Sequence, residues 1–183
     1  MRLASLLHLL AQARAASGHS EFVVIGSLSI LGMERFAQIP DGMSMSNDVD
    51  AYTKADPGRI FDLLPQLGED SPFHLAQGIY LDGVSPALPT LPDGWEARMI
   101  RQEHDGLVVW FLEPNDAAVS KLARRQPNDM RWVREGVRAG LISAPMVRAR
   151  FATTRFLDAD EEKRAKQGLD SIMRPAPTNP RGG

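Results

Sequence analysis

The chain has 183 residues, no cysteine, four histidines and a formal net charge of −2. Disulfides and thiolate metal sites are therefore excluded, the scattered histidines lack the spacing of a zinc site, and the near-neutral charge gives no global attraction to nucleic acid. The length and a hydrophobic fraction of 43% suit one globular domain with a small helical appendage.

The opening MRLASLLHLLAQARAASG places Leu3, Leu6, Leu7, Leu10 and Ala13 at helical spacing, which predicts an amphipathic first helix. His8, Gln12 and Arg14 break its apolar run, unlike the core of a secretory leader. No stretch approaches the ~20 apolar residues of a membrane span, so a cytoplasmic chain with no membrane partner is expected. EFVVIGS reads as a buried strand that stops at Gly26, and SLSILGMERF as a helix. NDVDAYT is the next strand. Asp56-Pro57 predicts a helix over PGRIFDLLPQL, with Asp56 as N-cap and Pro57 at its first position. FHLAQGIYLDGV is strand-like, and SPALPTLPDGW is a Pro-rich loop. ARMIRQEH and GLVVWFLE flank Asp105-Gly106, the strongest short hairpin signal.

From Pro114 the pattern becomes helical. NDAAVSKLARR opens with Asn115 or Asp116 as cap, and PNDMRWVREGVRAGLI aligns Met130, Val133 and Val137 before Gly140 ends it. APMVRARFATT and DADEEKRAKQGLDSIM are further helices. Residues 173–183 read as a disordered tail of Pro, Gly and polar groups. The expected class is α+β, with a mixed-sheet core over 1–113 and a helical part over 114–172 packed on it.

In NDVDAYT the alternation of a strand aims Asp48 and Asp50 to one side. Aspartate is a poor strand former, and two carboxylates side by side repel unless a cation lies between them. Mg²⁺ suits such a pair, since it takes a few carboxylates and completes its shell with phosphate oxygens and water. Read alone, the pair fits a solvated edge strand carrying two acids more readily than a metal site. Upstream, Gly26-Ser27 stands at a strand-to-helix turn, where backbone N–H groups can hold phosphate. A phosphate cradle on one strand followed by an acidic pair on the next is far more specific than either alone.

The combination FVVIGSLSILG and SNDVDAY resembles the nucleotidyltransferase superfamily with the polymerase-β-like core. The succession SPFHLAQGIYLDGVSP, LPDGWEARMI and FLEPNDAAVSKLARRQPNDMRWVREGVRAGLI extends the likeness over about residues 18–150. It resembles a bacterial branch related to the toxins of abortive-infection systems. The resemblance implies a polymerase-β-like core followed by a C-terminal helical bundle. It implies that Gly26 and Ser27 contact the β- and γ-phosphates of an NTP, and that Asp48 and Asp50 hold Mg²⁺ or Mn²⁺. Asp82 is implied as a third catalytic and metal-binding carboxylate, although Asp82-Gly83 reads equally as a turn. Lys121 and Arg124 are implied to face the triphosphate, or else form a solvated helix face, and Asp129 supports them. Two charged positions of the related toxins' pattern are missing beside it, in Gln126-Pro127-Asn128-Asp129.

The activity so implied is transfer of NMP from NTP to a hydroxyl, with RNA, specifically the tRNA 3′ end, as acceptor and an antitoxin protein as partner. The run Lys121, Arg124, Arg125, Arg131, Arg134 and Arg138 offers cations for RNA phosphates. The alternative is a catalytically weak or inactive member of the fold that acts as a binding or regulatory module.

Overall fold

The computed structural model describes residues 1–174. Five strands, β1 (Glu21–Val24), β2 (Asp48–Thr53), β3 (Tyr80–Gly83), β4 (Ile100–His104) and β5 (Leu107–Phe111), form one mixed sheet in the order β3-β2-β1-β5-β4. β1 runs antiparallel to β2 and parallel to β5, β2 is parallel to β3, and β4 is antiparallel to β5. Asp105 and Gly106 both take positive φ, 49° and 77°, the twist that a two-residue hairpin between β4 and β5 requires. The chain is an α+β protein with this mixed sheet.

Alternation decides which side chains the sheet buries. Phe22 and Val24 on β1, and Val109 and Phe111 on β5, share one side and are fully buried. A 3-10 helix over Ser27–Met33 packs against β5, so closely that a Cβ on Gly32 would meet the Phe111 side chain at 2.6 Å. Helix α1 (Leu3–Ser17) turns Leu6, Leu9, Leu10 and Ala13 into the core. Its buried stripe includes Leu9 where the spacing had suggested Leu3 and Leu7, which stay half-buried at its margin.

The second half is helical: α4 (Pro114–Arg124), α5 (Pro127–Arg138), α6 (Ala144–Phe151) and α7 (Ala159–Met173). Helix α4 is central, packing against the other three and against the 3-10 helix at 27–33. Nearly all of α4 is buried, Lys121 included.

Several local expectations are corrected. SLSILGM is a 3-10 helix, not an α-helix. PGRIFDL is also 3-10 (Pro57–Leu63), followed by the single turn α2 (Leu64–Leu67). Pro65 lacks the N–H that a continuous α-helix would need there, and Asp56 makes no side-chain cap. FHLAQ is not strand but the short helix α3 (Pro72–Gln77), capped by Ser71 Oγ accepting from the His74 N–H at 3.2 Å and stopped by Gly78 in the left-handed region. The cap of α4 is Glu113, whose Oε2 accepts from the Asn115 and Asp116 N–H groups at 3.0 Å each. Asp116, expected as a possible cap, is wholly buried instead. There it accepts from Arg98 Nε at 2.7 Å and lies 3.1 Å from Arg150 Nε. The tail expected over 173–183 overlaps the end of α7 at Met173, and its residues 175–183 lie outside the described residues.

Candidate active site

The acidic cluster follows from strand periodicity and register. Asp48 and Asp50 are two apart on β2, and the parallel register sets Asp82 of β3 directly opposite Asp50. The intervening Val49 and Leu81 point the other way and are buried. Asp48, Asp50 and Asp82 each bring a carboxylate oxygen within 4.8 Å of the others. Ser46 donates its hydroxyl to Asp48 Oδ1.

Such crowding is costly for Asp50. Burial, then the charges of Asp48 and Asp82, push its carboxyl from the ordinary 3.8 up to about 7, against the lowering pull of Lys121 and Arg124. Asp82, more exposed, is also raised, by desolvation and by the charges of Asp48 and Glu69. Three hard oxygen donors that repel one another without a counter-charge could bind a divalent cation.

One pH dependence follows. Without divalent cation, folded Asp50 keeps its proton up to about pH 7, whereas the unfolded chain releases it near 3.8. Between those values the folded state binds more protons, so stability falls as pH rises. The contribution is complete below the unfolded value and lost as pH passes the folded one. Melting curves of chelator-treated protein should therefore decline from pH 5 to 8, and Asp50→Asn should flatten that decline. Below pH 7, apparent divalent-cation affinity should fall by about tenfold per pH unit, because one proton must leave first.

Gly26 closes on the cluster from β1. Its φ of 67° and ψ of −154° lie in a region open to glycine, and a Cβ there would come 1.8 Å from Asp50 Oδ2. The turn that ends the first strand is thus pressed against the central carboxylate.

Behind it, Lys121 is 2% exposed. Its Nζ donates to Ser27 Oγ at 2.9 Å and to Asp129 Oδ1 at 3.1 Å, and lies 4.8 Å from the centroid of the Trp132 ring. Burial lowers the lysine's pKa, with Asp129 opposing that shift. Arg124, one turn on and largely exposed, donates to the same Asp129 oxygen at 2.8 Å. Lys121 is therefore no part of a solvated helix face. Trp132 holds the region together by donating from Nε1 to the carbonyls of Ser27, at 3.2 Å, and Met43, at 3.0 Å. Residues 28–47, the long interval before Asp48, are in this way tied back beside the Gly-Ser turn.

The structure thus gathers two sets: Asp48, Asp50 and Asp82 with Gly26, and Ser27 with Lys121, Arg124 and Asp129. A cavity of about 220 Å³ draws its lining from both sets, with Gly26 and Asp50 from the first and Lys121 and Arg124 from the second, and includes Thr90 and Glu161 among its other walls. Thr90, Ser46 and Glu161 carried no signal in the sequence, since each sits in a loop or helix whose pattern is accounted for without it. Of the remaining basic residues, Arg125 pairs with Gln167 at 3.2 Å, and Arg131, Arg134 and Arg138 form an exposed face of α5.

Three carboxylates thus converge beside a glycine-serine turn, with a buried lysine behind the serine, in an α+β fold. A family model described as "Nucleotidyltransferase of unknown function (DUF6036)" matches residues 2–171, and the chain belongs to that family. No curated protein and no solved structure shows a significant match to it. No helix among the described residues is long and apolar enough to cross a membrane.

Proposed function

We propose that the protein is a Mg²⁺-dependent nucleotidyltransferase that moves NMP from NTP onto a hydroxyl. The observation that carries this reading is the convergence of Asp48, Asp50 and Asp82 within 4.8 Å beside Gly26. The proposed architecture is a polymerase-β-like core, residues 1–113, with the helical part at 114–172 closing the nucleotide site.

Each residue has a role in the proposal. Asp48 and Asp50 hold the cation, which when bound draws in the triphosphate oxygens and offsets the charge that develops on the leaving pyrophosphate. Gly26 and the Ser27 hydroxyl contact the β- and γ-phosphates. Lys121 and Arg124 supply counter-charge there, with Asp129 fixing both side chains. Asp82, the most open of the three acids, takes the proton of the acceptor hydroxyl as that oxygen attacks the α-phosphorus. One P–O bond forms, the bond from the α-phosphorus to the bridging oxygen breaks, and pyrophosphate leaves.

The acceptor we propose is RNA, at the tRNA 3′ end. The exposed face of Arg131, Arg134 and Arg138 supports it, with Arg131 also lining a cleft that contains Ser27 and Ser46. A toxin acting on tRNA would be held in check by an antitoxin protein in the cytoplasm.

The test is incubation with each labelled NTP, Mg²⁺ and total RNA. Label should move to RNA in the parent. Asp82→Asn should keep nucleotide binding while transfer falls by on the order of a hundredfold or more. Equal transfer in mutant and parent would remove Asp82 from the mechanism, and no label on RNA would remove RNA as acceptor.

A further inference from the structure

Ser46 stands just before β2 and has no part in the chemistry above, yet its hydroxyl donates to Asp48 Oδ1. Among the described residues no other hydrogen bond reaches the side chains of Asp48, Asp50 or Asp82. Both flanks of Ser46 are pinned. Met43 is buried, its N–H donates to the Pro40 carbonyl at 2.9 Å, and its own carbonyl accepts from Trp132 Nε1 at 3.0 Å. The Ser44 carbonyl accepts from the Met1 ammonium group. On the other side the Asn47 carbonyl accepts from the Tyr80 N–H at 3.0 Å and so continues the pairing of β2 with β3. A hydroxyl carried between two such anchors is in place before any ligand arrives. Trp132 shares the same N–H with the Ser27 carbonyl, which holds this segment beside the Gly-Ser turn.

Resting on the nucleotidyltransferase reading, we infer that Ser46 is a positioning residue of the cation site, whose hydroxyl sets the Asp48 carboxylate in the orientation the cation requires. An aspartate side chain turns about two bonds, and repulsion from Asp50 and Asp82 favours a swing of Asp48 towards water. The Ser46 donor opposes that swing. An ionised carboxylate offers about four acceptor positions, of which one hydroxyl takes one, so about three remain for a cation and its water. The cation then meets a carboxylate already oriented, and the cost of ordering it is not subtracted from binding. Loss of such a hydrogen bond to a ligating carboxylate costs roughly ten- to a hundredfold in metal affinity. The bond spans two residues at one loop-to-strand junction and joins no separate elements. Asp48 is only half-buried, so water replaces the donor in the metal-free protein and the fold loses little without it.

Titration of the whole protein with Mn²⁺, without nucleotide, tests this, with free Mn²⁺ followed by its electron paramagnetic resonance signal. The measurement is made at pH 8, above the point near 7 at which Asp50 releases its proton. Ser46→Ala should raise the Kd for Mn²⁺ by about ten- to a hundredfold. Ser46→Thr, which keeps the hydroxyl, should bind as the parent does, and the Tm of the chelator-treated protein should change little in either variant. Equal affinity in Ser46→Ala and the parent would overturn the assignment while leaving the transferase reading intact. A loss in Ser46→Thr as deep as in Ser46→Ala would do the same. A clear fall in the metal-free Tm of Ser46→Ala would make the bond part of the fold and overturn the assignment likewise. A parent protein that binds no Mn²⁺ would overturn the metal site of that reading, and the assignment with it.

Discussion

Asp50→Asn should reduce nucleotidyl transfer by three orders of magnitude or more, equivalent to at least about 4 kcal/mol of barrier. It should also abolish the rise in Tm that Mg²⁺ with NTP gives the parent, as loss of a ligand that binds only the folded state requires. The same change should have the opposite effect on the metal-free protein. At pH 8 the parent must hold a mostly buried carboxylate against Asp48 and Asp82, whereas the amide carries no charge. Asp50→Asn should therefore melt higher than the chelator-treated parent at pH 8, and the gap should close towards pH 5. Lower activity together with higher intrinsic stability is the signature of a group retained for its ligand rather than for the fold. A mutant that still shifts with Mg²⁺ and NTP would place the nucleotide elsewhere.

Lys121→Met should be the most destabilising of the site substitutions. Lys121 and Asp129 are an ion pair 3.1 Å apart with side chains 3% and 6% exposed. Removing one member of such a pair leaves the other charge buried and uncompensated, at a cost of about 3–5 kcal/mol. For a chain of this size that is a fall in Tm on the order of 10 °C. Arg124 still reaches Asp129 Oδ1, but Oδ2 has no partner among the described residues, so compensation is incomplete. Lys121→Met combined with Asp129→Asn removes both charges and should recover most of the lost stability. Nucleotide affinity should not recover if Lys121 supplies counter-charge to the triphosphate as proposed, because Arg124 alone remains in either variant. Thermal melts and NTP titrations on the single and double variants separate the two roles. Recovery of both properties would make the lysine purely structural.

The strands were legible in the sequence because period-two alternation is a local signal that sheet formation uses directly. NDVDAYT shows Asp48 and Asp50 on one side before any partner strand is known, and Asp105-Gly106 fixes the β4–β5 hairpin. The helical half was legible from its 3.6-residue spacing. What failed was short and proline-bound. Ser71-Pro72 followed by Gly78 is a start and a stop around a helix of only six residues, too brief for periodicity to register against the strand-like run that contains it. The 3-10 segments at 27–33 and 57–63 failed differently, because packing against the sheet and a following proline set their pitch, and both are tertiary or boundary effects. The opposition of Asp82 to Asp50 is a matter of register between strands separated by residues 54–79, which no local pattern encodes.

The position of β3 in the sheet carries a consequence for how the site works over time. β2 is hydrogen-bonded on both sides, while β3 spans four residues and pairs only with β2. Two of the three carboxylates thus ride on an anchored strand, and Asp82 rides on the margin. Edge strands detach locally at far lower free energy than the whole domain unfolds. The mutual repulsion of the three carboxylates therefore bears most on that margin, where Asp82 sits on a strand with a neighbour on one side only. Under the proposed chemistry, a cation held by Asp48 and Asp50 would offset that repulsion and so steady the margin that carries Asp82.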